Sequence, residues 1–89
     1  MKAILTVIGE DKVGIIAGVS AELQKFNVNI LNVSQTIMDG YFTMMMMTDI
    51  KDANENFDAI KAALSAKGKE LGVDIKIQRE DIFKSMHSL

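Results

Sequence analysis

Cysteine, proline and tryptophan are all missing from this 89-residue chain, and histidine occurs once. Without cysteine there is neither a disulfide framework nor a thiolate metal site. Lysine and arginine number 10 against 12 acids, a net charge of −2, so no basic excess draws the chain to a phosphate backbone or an anionic bilayer. Nucleic acid is therefore not expected as a direct ligand. No apolar run approaches the ~18–20 residues that cross a bilayer, and no signal peptide opens the chain, so a cytoplasmic protein is expected. No linker and no low-complexity segment divides it. A single domain of this length buries roughly 60–65% of its unfolded surface, which makes a second copy a welcome source of further burial.

What is present is periodicity. The run AILTVI, residues 3–8, is apolar at nearly every position, as in a strand buried on both faces in the middle of a sheet. Gly9 to Lys12 reads as a loop. From Val13 the period lengthens: Ile15/Ile16, Val19, Leu23 and Phe26 mark an amphipathic helix ending near Asn27. Residues 29–38 then alternate, with Leu31, Val33 and Ile37 on an expected core face and Asn32, Ser34 and Thr36 on the other. Asp39-Gly40 is a strong two-residue hairpin signal into the strand 41–49, YFTMMMMTD. Asp52 with Glu55 resembles a capping box, and Phe57, Ile60, Leu64 and Leu71 form the face of a second helix stopped by Gly72. Gly68 inside that helix predicts an early or frayed last turn. Val73, Ile75 and Ile77 mark a last strand. Beyond residue 78 the tail, 79–89, is patterned for a short helix through Ile82, Phe83 and Met86.

The order β-α-β-β-α-β predicts an α+β, ferredoxin-like sandwich: a four-stranded antiparallel sheet with both helices on one face. Right-handed crossovers give strand order 4-1-3-2, with strand 29–38 on an edge. An unbroken, apolar edge needs a cover, and a symmetric dimer through it is the simplest one.

The stretch GEDKVGIIAG, residues 9–18, holds the best candidate site. A Walker A loop is excluded because Ile15-Ile16 follow Gly14 where Lys and Ser/Thr are needed, and the glycine spacing fails the dinucleotide fingerprint. Two readings stay open. Gly14 at a helix N-terminus favours an anionic group on free backbone N–H groups; alternatively the glycines serve only the turn and close packing. Methionines 44–47 are expected to pack as deformable core, since only two share a strand face and no Cys or His completes a copper site. His87, Ser20 and Ser34 have no catalytic partners, and the Glu10-Asp11 pair reads as solvated loop carboxylates, so no enzyme is expected. No cofactor or metal is implied. An RNA-recognition domain would need aromatics on the first strand, and an acylphosphatase-like enzyme would need a loop arginine; the single arginine is Arg79.

On LTVIGEDKVGIIAGVSAEL, NVNI with the preceding Asn27, SQT at 34–36 and FTMMM at 42–46, the chain resembles the ACT domains, small-molecule-binding regulatory modules. Among these it is similar to stand-alone ACT proteins related to the ACT units of the glycine cleavage system transcriptional repressor. The similarity covers residues 1–78. It implies a regulatory protein holding an amino acid between two domains of a side-by-side homodimer built on the 29–38 edge strand. Carried onto this sequence, the implied ligand contacts are Asp11, Lys12, Val13, Gly14, Ile15 and Asn29. Many members have proline where Val13 stands, so the loop is less rigidly preset here. Serine-binding members carry a histidine and an asparagine where this chain has Gly9 and Asp11, which speaks against serine and leaves a different amine or no ligand. The output is expected to pass through an unidentified regulated protein. The competing expectation is an assembly module whose dimer or hetero-complex is itself the function, with no small-molecule ligand.

Overall fold

The structure, a computed structural model, describes residues 1–10 and 13–81. Strands β1 (Lys2–Glu10), β2 (Asn29–Met38), β3 (Tyr41–Asp49) and β4 (Val73–Arg79) alternate with helices α1 (Ile15–Lys25) and α2 (Phe57–Leu71) in the expected order. The sheet is antiparallel throughout and ordered β2-β3-β1-β4, which is 4-1-3-2 read from the other edge. The short helix expected through Ile82, Phe83 and Met86 lies outside the described residues, as does His87.

One face of the sheet carries the core. Leu5 and Val7 of β1, Phe42, Met44 and Met46 of β3, and Ile75 and Ile77 of β4 pack beneath Ile15, Val19 and Leu23 of α1 and Ile60 and Leu64 of α2. Met44 and Met46 are buried while Met45 is 40% exposed, so the methionine run splits by strand alternation as expected. Thr48, the one buried polar side chain among the described residues, donates its hydroxyl to the Ala3 carbonyl at 2.9 Å and so removes the cost of an unpaired group.

Several sequence expectations need correction. β1 is central but not covered on both faces: Ala3, Leu5 and Val7 point under the helices, whereas Ile8 on the opposite face is 49% exposed. Both helices lie on one side, and among the described residues no element covers the other side of the sheet. The expected core face of β2 is also exposed along its whole length, with Val33 at 50% and Ile37 at 59%. Val33 and Ile37 do lie opposite the buried Met46 and Phe42, on the helix side, but the helices do not extend over this edge. Leu31 is not in that register at all. Ile30 pairs with Thr48 and Asn32 with Met47, leaving Leu31 as the extra residue of a bulge.

The caps differ from the sequence reading at one end and agree at the other. Asn56, not Asp52, caps α2: its side-chain oxygen accepts the Ala59 N–H at 2.8 Å with extended backbone at ψ 164°. Asp52 sits earlier, in a turn closed by the Ala53 N–H to the Ile50 carbonyl and tied to α1 by Asn54 N–H to the Phe26 carbonyl. Gly72 closes α2 in the left-handed region at φ 75°. Asp39 and Gly40, at φ 50° and 79°, form the I′-type hairpin that the sequence predicts. α1 stops at Lys25, and Asn27 reverses the chain at φ 58°. Gly68 does not fray α2, which runs on to Leu71. A Cβ at Gly68 would stand 2.7 Å from the Val73 carbonyl oxygen, so glycine is required there by the close approach of α2 to β4.

Two outcomes follow for stability. Gly68→Ala would ordinarily gain about 1 kcal/mol in helix propensity; here we expect a net loss of about 1–3 kcal/mol in urea unfolding, because the obstructing atom is backbone. A stabilised Gly68→Ala protein would contradict the packing described. The second concerns Asp49, whose carboxylate accepts the Lys51 backbone N–H at 3.0 Å and lies 3.6 Å from the Met1 α-ammonium. The Lys51 hydrogen bond is the chief cause holding its carboxyl below the ordinary value of 3.8. A lowered folded pKa stabilises the fold above the ordinary value, and that contribution disappears as pH falls through the ordinary value and then the lowered one. Asp49→Asn should therefore flatten the decline in the urea midpoint between about pH 5 and pH 2. An equally steep decline in the variant would show that Asp49 contributes nothing to it.

Candidate functional site

Gly14 opens α1 in the left-handed region at φ 90°, a conformation that side chains with a Cβ rarely adopt, and nothing lies within 4 Å of where its Cβ would be. It is therefore held by backbone conformation, not by packing. The other glycines of the stretch are packing positions: a Cβ on Gly9 would meet Val73 Cγ1 at 2.7 Å, and one on Gly18 would meet Leu71 Cδ1 at 3.0 Å. The close-packing reading of the glycines thus holds for Gly9 and Gly18, and Gly14 serves the turn into α1.

The Gly18 N–H donates to the Gly14 carbonyl at 2.8 Å as the first turn of α1 closes. Among the described residues no side chain caps this end, and no acid lies in the first turn of α1. The leading N–H groups of the helix have no intrahelical acceptor, and the helix dipole adds partial positive charge. This end can receive a carboxylate. Val13 beside it is fully exposed and Ile16 is 43% exposed, giving the anion position an apolar border. Ile15 turns the other way and is buried in the core, so it contributes backbone only. Asp11 and Lys12 lie outside the described residues.

Asn29 begins β2 opposite Asp49. With Asn27, Val28 and Asp52 it lines an open groove of about 250 Å³. The left-handed Asn27 donates its side-chain amide to the Asp52 carbonyl at 2.9 Å, and Asn54 donates to the Lys25 carbonyl at 3.0 Å. These bonds fix the turn from which Asn29 projects. The sequence reading missed Asn27 and Asp52 as groove residues; the asparagine pair flanking Val28 was the available signal, since asparagine tolerates positive φ.

The two halves of the candidate site are not together in one chain. Glu10 of β1 pairs with Tyr41, which pairs with Met38, so Gly14 follows the end of the sheet where β2 finishes. Asn29 starts β2 at the other end, where Asp49 of β3 pairs with Asn29 on one side and Lys2 on the other. Nine strand residues separate these ends, roughly 27 Å at the usual rise. The sheet's open face holds a further groove, about 360 Å³, bordered by Ile4, Asn32, Ser34, Met45 and Met47. Among the described residues no three His, Cys, Asp or Glu side chains gather as a metal site, and no helix is long and apolar enough to cross a membrane.

Comparison with known proteins agrees with this architecture. A UPF0237 protein of Listeria monocytogenes is 62% identical over 89 residues, covering all of both chains. An ACT domain protein from Streptococcus pneumoniae superposes with a TM-score of 0.83 at 44% identity, covering 94% of each chain. A glycine cleavage system transcriptional repressor shares the fold at TM-score 0.75 and 18% identity, over 86% of this chain and 44% of that one. The ACT domain family profile matches residues 2–78, and with these relatives it shows that the chain belongs to the ACT domain family.

Proposed function

We propose that this protein is a non-enzymatic regulatory sensor that holds an amino acid between two copies of itself, paired through β2. The observation that carries this reading is the separation of the half-sites. An anion-receptive helix end and a polar groove stand at opposite ends of the sheet, and between them runs a ten-residue edge strand with every residue exposed.

A two-fold axis that pairs β2 antiparallel with β2 of a second copy sets the start of one strand against the finish of the other. The helix end at Gly14 then faces Asn29 of the partner subunit, and the arrangement repeats on the other side. Backbone N–H groups at Gly14 and Ile15 receive the ligand carboxylate. The partner's Asn29 and the loop carboxylate of Asp11 receive its ammonium group, with Lys12 and Val13 bordering the ligand. A single α-amino acid matches that pairing of charges. The same pairing covers Val33 and Ile37, whose exposure has no purpose in an isolated chain, and satisfies the free ladder groups of the edge. An assembly module without ligand is supported by the bare edge strand alone, and it needs no role for the helix end or the groove.

The test is a thermal-shift screen against the twenty amino acids, followed by mixing of variants. A ligand at ~100 times its dissociation constant adds about 2.7 kcal/mol to the folded state, a shift of several degrees in a domain of this size. Asp11→Ala and Asn29→Ala should each abolish the shift while remaining dimeric by sedimentation. Subunit exchange between the two variants should restore binding at roughly a quarter of the sites, because half the dimers are mixed and each mixed dimer has one intact site. Recovery on mixing is possible only for a site shared between copies. Dimers that show no shift with any amino acid would instead support the assembly module.

Val33→Asp addresses the interface itself. It places a charge on the helix side of the edge, and we expect a folded monomer by sedimentation that has lost the ligand shift. A Val33→Asp dimer that still binds would remove β2 from the proposal.

A further inference from the structure

We infer that the open face of the sheet is a second self-interface, on which two β2-paired dimers stack to close an assembly of four copies. The inference rests on the β2 pairing proposed above. Antiparallel pairing of β2 with its own copy needs a two-fold axis perpendicular to the sheet, so both copies turn their helices to one side and their open faces to the other. The result is one eight-stranded face. Its charges stand at the margin: Lys2 and Glu10 at the two ends of β1, Asp49 at the end of β3, and Asp74 and Lys76 along β4, the outer edge. Between them lie Ile4, Thr6 and Ile8 of β1 and Thr43, Met45 and Met47 of β3, and the β2 rows beyond are polar but uncharged. Met45 is 40% exposed and Ile8 49%. An uncharged, methionine-bearing centre inside a charged border is the composition of a protein interface.

Area selects four copies over two. Four strands spaced ~4.8 Å apart and about nine residues long give each chain a face of roughly 500 Å². Stacking two single faces buries roughly 1,000 Å² in all, below the ~1,200–2,000 Å² of stable interfaces, whereas stacking two paired faces buries roughly 2,000 Å². The second interface therefore forms between dimers.

Shape and charge fix how the faces meet. Closing the stack with two-fold symmetry puts one axis across the strands in the plane between the faces, so the copy facing each chain is reversed end for end. Centred near Thr6, that reversal sets a recess against a projection. Ile4 is 8% exposed between Met47 and Gln78 and borders the groove of about 360 Å³, while Ile8 and Tyr41 toward the other end are 49% and 59% exposed. The reversal also sets Lys2 opposite Glu10 of the partner subunit, and within the chain neither has an ionic partner among the described residues. At the outer border Asp74 and Lys76 lie 3.8 Å apart and offset one another.

The test is sedimentation of the full-length chain over a concentration series. Four copies are expected at the concentrated end and dimers at the dilute end. Met45→Asp and Thr43→Lys, at exposed positions in the centre of the face, should each stay folded by circular dichroism and remain dimers throughout. Lys2→Glu should weaken the contact between dimers several-fold, and adding Glu10→Lys to it should restore that contact. A chain that stays dimeric at every concentration would overturn the stack and leave the β2 pairing standing. Four copies indifferent to both central substitutions would do the same. Val33→Asp separates the two ideas: monomers are expected, because a single face is too small to stack. Val33→Asp chains that still associate would overturn the β2 pairing and, with it, the four-copy assembly.

Discussion

Two helices over four strands is the constraint on which everything else in this molecule depends. Pairing β1 between β3 and β4 puts the most apolar strand at the centre, and the buried faces of α1 and α2 close over it. That arrangement consumes the helices. Among the described residues β2 is left with a hydrogen-bonded neighbour on one side and nothing above it, which is why a strand containing Ile30, Leu31, Val33 and Ile37 is exposed from end to end. The exposed edge is the direct result of fitting two helices to one sheet, and the proposed function makes use of it.

The same constraint divides the proposed ligand site. α1 begins at one end of the sheet because it must cross from β1 to β2, and β2 begins at the other because α1 has carried the chain back. A helix end and the start of the following strand are therefore separated by the length of the sheet in any single chain of this topology. Complementary groups so separated act on one small ligand only when a second copy supplies the missing half. In the proposed dimer, binding and pairing would share one free energy, so the ligand would favour the dimer as much as the dimer favours the ligand.

The fold was legible in the sequence to the extent that its determinants are local. The Asp39-Gly40 turn, the Gly72 stop and the alternation of the methionine run each depend on a few neighbouring residues, and the structure bears them out. The readings that failed depend on distant chain. Asp52 loses the cap to Asn56 because the turn at 50–53 is tied to the end of α1, and Gly68, a weak point by helix propensity alone, is where β4 presses against α2. Val33 and Ile37 have the alternation of a core face; only the width of the helix layer decides that they are bare. For the site, Gly14 could be read from its place before a helix, and Asn29 from the family resemblance. Neither signal carries their separation, which is a property of the assembled sheet.

Ala3 pairs with Arg79, so the central strand finds one neighbour from the far end of the described chain and the other from its middle. Only the β2–β3 hairpin forms between sequence neighbours. The search for the remaining pairs closes long loops before any contact repays their entropy, which places this small domain among slower folders than its helix content suggests. During synthesis the most apolar strand must wait for nearly the whole domain to emerge before β4 can cover its flank. The hairpin, with its exposed edge, is the part that can form first, so copies could meet along that edge before either sheet is complete.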